Sequence, residues 1–155
     1  FNFEPLMTLY LNDQIEIKDL IKSYKNKIIF AVKLYPAGAT TNSSRGISRI
    51  KDIYNILEKM TENKIPLLIH GEVNDKKIDV FDREKVFIEN ELYPITQKFS
   101  ELKITLEHIT TKFAVDFINT SKSNVKASIT PHHLILNRSD MLEHKIKPHF
   151  FAYQF

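Results

Sequence analysis

The stretch Ile28-Ile29-Phe30-Ala31-Val32-Lys33-Leu34-Tyr35-Pro36-Ala37-Gly38-Ala39-Thr40-Thr41-Asn42-Ser43 decides how this chain folds. Five apolar residues run straight into a lysine, then into a loop of small and hydroxyl residues. That order predicts a buried strand, Lys27 to Leu34, delivering one amine to the end of a sheet beside a loop. An ammonium is costly to desolvate, so Lys33 needs a partner or a task.

Outward from that strand, apolar patterns of two kinds alternate. Upstream, Met7 to Leu11 reads as a short strand. Asp13 and Glu16 have capping-box spacing ahead of a helix whose inner face is Ile17, Leu20, Ile21 and Tyr24. Downstream, Gly46 opens a helix with Ile47, Ile50, Ile53, Tyr54, Leu57 and Met60 on one face, ended by Asn63. The next strand, Ile65 to Ile69, is apolar without alternation and so is expected to be covered on both faces, as parallel strands are. A long helix follows from Asp82 to about Phe99, with a kink near Tyr93 because Pro94 lies inside it. Lys103 to Ile109 reads as a strand, and Thr110 or Thr111 caps a helix carrying Phe113, Ala114, Phe117 and Ile118. Val125 to Thr130 is the last strand, closed by Pro131. Such alternation argues for an α/β fold of βα units on a parallel sheet, in one domain spanning residues 1–155.

Composition narrows the function classes. Of 155 residues, 43% are apolar, enough for a packed core; the net charge of +3 comes from 22 basic and 19 acidic residues that are interspersed, so no nucleic-acid stripe is formed. The absence of cysteine excludes disulfides, thiolate metal ligands and a cysteine nucleophile. No apolar run approaches the about 20 residues of a membrane span, and no signal-peptide pattern opens the chain, so a cytoplasmic setting is expected. Phe1 in place of a methionine suggests a piece of something longer.

The polar groups at the carboxyl ends of the strands carry the chemistry. His70 lies 37 residues after Lys33, and His108 lies 38 after His70. One strand-loop-helix-loop period separates each pair. Equal offsets in a parallel sheet are expected to put these side chains at one level at the carboxyl end, where α/β active sites lie. Two neutral imidazoles suit Zn²⁺, which usually takes a third protein ligand. A free ammonium has no lone pair to offer. A lysine carboxylated by CO₂ is instead an anionic, two-oxygen ligand able to bridge two metals. The bland reading of each histidine alone is a satisfied core residue; two histidines and a lysine in step make a site the better reading.

These residues also carry a family resemblance. Lys33-Leu34-Tyr35-Pro36 with Ala39-Thr40-Thr41-Asn42-Ser43 resembles the metal-bridging lysine and following loop of bacterial-type dihydroorotase. Pro66 to Glu72, Phe81-Asp82-Arg83-Glu84, Glu107 to Lys112, and Ile129-Thr130-Pro131 with His133-Leu134 are similar to later motifs of that family, in the same order. The resemblance runs from about Leu6 to Phe151. It implies the central portion of a metal-dependent amidohydrolase (β/α)₈ TIM barrel, here about four to five βα units. It further implies reversible, zinc-dependent cyclisation of N-carbamoyl-L-aspartate to dihydroorotate in pyrimidine biosynthesis, by a homodimer when complete. Carboxylated Lys33 would bridge two zinc ions, His70 and His108 would complete the shell of the more exposed one, and Thr40 and Thr41 would bind substrate on a closing loop. A metal-activated water would attack the ring amide carbonyl, and a carboxylate outside these residues would carry the proton to the leaving nitrogen.

Some of the family pattern is missing. A barrel of this kind takes about 250 residues. The first-strand His-x-His pair, the late-strand aspartate, and the substrate-gripping arginine and asparagine are not among the 155. Ala152-Tyr153-Gln154-Phe155 departs from the pattern after Pro148-His149. The expectation is therefore a fragment of a dihydroorotase, inactive alone and with open sheet edges. Glu72 and Glu107 flank the histidines and are candidates for orienting imidazole N–H groups. Adjacent His132 and His133 are expected on a strand, pointing to opposite faces, with His132 at the surface. His144 and His149 have no partner by spacing. The competing readings are a non-catalytic α/β binding domain of flavodoxin-like size and a degenerate scaffold protein. Only three glycines, without G-x-G-x-x-G or P-loop spacing, weigh against the former.

Overall fold

Five short parallel strands form one sheet in the order of the chain: β1 (Thr8–Tyr10), β2 (Ala31–Leu34), β3 (Leu67–His70), β4 (Ile104–Glu107) and β5 (Val125–Ala127). The structure is a computed structural model that describes residues 2–143, 145 and 147. Helices α1 (Ile17–Lys25), α2 (Tyr54–Glu62, entered through a 3₁₀ turn at Ile50–Ile53), α3 (Arg83–Phe87), α4 (Tyr93–Lys98) and α5 (Lys112–Thr120) fill the crossovers, and α6 (Pro131–Ile135) and α7 (Arg138–Leu142) follow β5. Every strand neighbours its predecessor, as in consecutive βα units of a barrel. A flavodoxin-like sheet instead reverses its strand order at a switch point, so that alternative is set aside.

One face of the sheet makes the core. Val32, Leu34, Leu67, Ile69, Ile104, Leu106 and Val125 are buried against Leu20, Leu57, Met60, Phe87, Leu92, Ile95 and Ala114 of the helical layer. The alternate residues form the other face. In register across it are Tyr10, Lys33, Leu68, Thr105 and Lys126, with His70 paired to Glu107 one level further on. Leu68 is only half-buried and Lys126 is exposed; among the described residues the hydrophobic core lies on one face of the sheet, and the other carries the buried Lys33 and His70. β1 and β5 are the sheet's edges. Phe3, Leu6 and Met7 are exposed before β1, and Ile129, Leu134 and Ile135 after β5.

Local chemistry corrects several boundaries. Asp13 is not the cap of α1; Asn12 takes the Gln14 N–H on its side chain (2.9 Å), and the helix begins after Glu16, which makes no side-chain cap. β2 starts at Ala31 because Lys27 adopts a left-handed backbone (φ 57°) and Ile28 is exposed. Gly46 and Ile47 are not helical: the Ile47 N–H donates to the Tyr35 carbonyl (2.8 Å) in a bridge that closes the loop after β2. Asn63 does end α2, but the left-handed residue is Lys64 (φ 58°). The predicted kink is a π turn at Ile88–Leu92 just ahead of Pro94, which has no N–H to continue the ladder. Thr111, not Thr110, caps α5, accepting from the Ala114 N–H at 3.1 Å. β5 ends at Ala127, and His132 and His133 lie on α6 rather than on a strand. His144, His149 and the segment 152–155 fall outside the described residues.

Candidate metal centre

Lys33, His70 and His108 do converge, though not at one level. Lys33 pairs with Leu68, two residues below His70 and on the same face, while His70 pairs with Glu107. Strict alternation would send His108, the next residue, to the helical side. Its backbone is instead left-handed (φ 46°), and its N–H donates to Ser128 Oγ at 2.9 Å. The imidazole thereby lies edge-on to that of His70, with ring centroids 5.0 Å apart.

The surroundings of each group are specific. His70 is 1% exposed, and its Nε2 lies 3.1 Å from Glu72 Oε2, the orienting contact expected of Glu72. Glu107 has a different partner from the one expected: its carboxylate forms an ion pair with Lys33 Nζ. Tyr35 was not foreseen. Its ring stands 5.7 Å from that of His70, and Lys33 Nζ lies 4.7 Å from its centroid. Burial lowers the Lys33 ammonium from its ordinary value, opposed by the hydrogen bond to and charge of Glu107. His108 is pushed down to about 3, chiefly by burial and then by His70 and Lys33 beside it.

Such a set suits zinc in part. His108 is neutral across the physiological range, with a lone pair to give, and a second imidazole stands against it. Among the described residues, no group of three or more histidine, cysteine or acidic side chains is arranged to hold a metal. Among the described residues, Lys33 lies on the same sheet face as His70, and as a charged ammonium it has no lone pair to give a metal.

The substrate candidates lie on the loop after β2. Thr40 is half-buried, with its N–H and carbonyl both engaged by the buried Ser43 hydroxyl (2.9 and 2.6 Å). Thr41 is exposed, and Asn42 turns the tip with φ 59°. Asn74, from the loop after β3, donates to the Ala37 carbonyl at 2.8 Å and ties the two loops together. His132 and His133 form a separate pair, centroids 4.2 Å apart, both contacting Thr130 Oγ1. Glu84 is the other residue that spacing missed: it belongs to no periodic face, and only the Phe81-to-Glu84 motif marked its neighbourhood. Its buried carboxylate accepts hydrogen bonds from the backbone of Thr110 and Thr111.

Comparison with known proteins finds dihydroorotases. No family model matches the chain. It is 52% identical over 151 residues to a dihydroorotase of Coxiella burnetii, covering 97% of this chain and 43% of that protein. The crystal structure of dihydroorotase from Campylobacter jejuni superposes with a TM-score of 0.85 at 41% identity, over 96% of this chain and 42% of the other. That of dihydroorotase in complex with 5-fluoroorotic acid from Saccharomyces cerevisiae superposes at 0.78 with 34% identity, over 90% and 42%. The chain spans less than half the length of the relatives it matches. Over nearly all of its own length, the chain is similar in sequence and in fold to dihydroorotases, and its parallel strands follow one another in the order of consecutive βα units of a barrel.

Proposed function

We propose that this chain is a single domain, the central portion of an amidohydrolase barrel, and supplies one side of a dihydroorotase centre. The protein that carries it then interconverts N-carbamoyl-L-aspartate and dihydroorotate with zinc, as a homodimer in the cytoplasm. What supports this reading above all is the convergence of two imidazoles and one buried lysine on one face of a sheet in barrel order. Identity near 50% across that same stretch adds to it.

In this reading the neutral amine of Lys33 would add through Nζ to CO₂ and release a further proton to solvent, and the resulting carbamate would hold the metal with His70 and His108. Bound zinc supplies Lewis acidity at an amide carbonyl and a lowered pKa for water. The chain's own residues do the rest. Glu72 fixes the His70 ring. Glu107, freed from the ammonium when the charge on Lys33 is reversed, turns from ion-pair partner to a group that must find another cation or donor. Thr40 and Thr41 present their hydroxyls to the substrate's carboxylate or ring. The base of their loop is pinned by the Pro36–Ile47 bridge, so the tip closes without moving the strand.

The test is intact mass and metal content on protein purified with bicarbonate. The expected result is an increment of one CO₂ on Lys33 together with bound zinc. Zinc binding that survives Lys33→Ala combined with His70→Ala overturns the assignment.

A further inference from the structure

Two adjacent residues in the first turn of α3 each reach toward one imidazole by a different route. Arg83 Nη1 donates to Glu72 Oε1 at 3.2 Å, and the other oxygen of Glu72 is the one 3.1 Å from His70 Nε2. Glu84 accepts from the Thr110 N–H (3.0 Å), the Thr111 N–H (2.9 Å) and the Thr111 hydroxyl (2.6 Å). Those amides belong to the turn that immediately follows His108. A left-handed backbone at a non-glycine residue persists only where its surroundings over-determine it. Here Ser128 holds the His108 amide through its hydroxyl and the Ile109 amide through its carbonyl, and Glu84 holds those of Thr110 and Thr111. Two oxygens at a fixed angle let a single carboxylate grip successive amides and a hydroxyl. A carboxamide, with one acceptor, cannot do the same.

We infer that Arg83 and Glu84 are positioning residues. The first turn of α3 is a shared brace that sets the His70 ring through Glu72 and the His108 ring through Thr110 and Thr111. The two routes run through different residues, Glu72 in one and Thr110 with Thr111 in the other. The role in metal binding rests on the reading of His70 and His108 as ligands. The brace itself concerns where the rings sit and is visible without metal.

The experiment follows the imidazole ring-nitrogen NMR signals in the full polypeptide carrying this chain, metal-free, and then Co²⁺ affinity and absorption by competition with a chromophoric chelator. Arg83→Met is expected to shift the His70 signals and leave those of His108. Glu84→Gln is expected to do the reverse. Each lowers Co²⁺ affinity by about 10-fold, the usual effect of losing an outer hydrogen bond to a ligand. Thr111→Ser, which keeps the hydroxyl, is expected to retain the parent spectrum, while Thr111→Val moves the His108 signals in the direction of Glu84→Gln. Unchanged ring signals in both Arg83→Met and Glu84→Gln overturn the inference. So do equal shifts of both rings in either variant that track a loss of melting temperature. If the parent protein binds no Co²⁺ but the ring-selective shifts are seen, the ligand reading falls and the brace stands.

Discussion

Gly71 lies between His70 and Glu72, and the structure explains why a side chain is excluded there. A Cβ placed on Gly71 meets Leu106 Cδ1 at 2.4 Å and Phe87 Cδ1 at 3.6 Å. Carbon atoms in contact sit about 3.5–4.0 Å apart, so a methyl group requires Leu106 to retreat by more than about 1 Å. Leu106 is 0% exposed and Phe87 1%, so Leu106 has no free space to enter. Gly71→Ala should therefore cost about 1–3 kcal/mol, the range for overpacking a well-filled core. Leu106→Ala alone should cost about 2–5 kcal/mol through lost burial and a cavity. Together they should be better than additive. The new methyl occupies space that Leu106 vacates, and the clash disappears, giving a favourable coupling of about 1–3 kcal/mol. Urea unfolding of the four proteins, at matched slopes, measures this cycle. Additivity within about 0.5 kcal/mol would show that the close approach to Leu106 is not what demands glycine.

Three further perturbations probe the loops around the site. Ser43→Ala removes the buried hydroxyl that holds both the N–H and the carbonyl of Thr40. It should cost about 1–3 kcal/mol and speed hydrogen exchange at the Thr40 amide; unchanged exchange would contradict the latch. Thr41→Ala, at an exposed position, should leave stability within about 0.5 kcal/mol while, on the proposed function, weakening dihydroorotate turnover by the full polypeptide that carries this chain. Equal losses of melting temperature and activity would refute a substrate role. Burial raises the Glu84 carboxyl above its ordinary 4.5, against the opposing bonds from Thr111 and Thr110. The folded state then holds that proton more tightly than the unfolded chain does. The associated stability is full below the unfolded value and is lost as pH rises through the folded one. Parent protein should thus lose stability relative to Glu84→Gln across that window, and a pH-independent difference between the two would overturn the assignment.

The architecture was legible because burial leaves a period in the sequence. Leu57 and Met60 at helical spacing, and the unbroken run Leu67-Leu68-Ile69, are what packing a helix and a sheet requires. Where a backbone exception governs, the pattern misleads. Ile47 continues the helical period of Ile50 and Ile53, yet its N–H is claimed by Tyr35 across the loop. Asp13 and Glu16 have the spacing of a cap, but Asn12 turns the chain first. Leu68 looks like core because the segment has no alternation, although it is only half-buried and faces the side of the sheet that carries Lys33.

Spacing marks Lys33, His70 and His108 as candidates, and the fold brings them together although not at one level. A count of residues between Lys33, His70 and His108 measures chain length, whereas level on a sheet is set by where each strand begins to pair. The register steps are Lys33 to Leu68 and His70 to Glu107, so Lys33 sits two residues low and His108 one residue beyond. The first displacement is harmless, because two residues along a strand return to the same face, and a lysine is long enough to span the gap. The second reverses the face and would have removed His108 from the site. The left-handed turn at that residue restores it, at a backbone cost of about 1–3 kcal/mol that the Ser128 and Glu84 hydrogen bonds offset. No periodicity announces such a turn. Next to it stands a carboxylate 24 residues upstream, Glu84 on α3, which holds the Thr110 and Thr111 amides, and only the folded chain brings the two together.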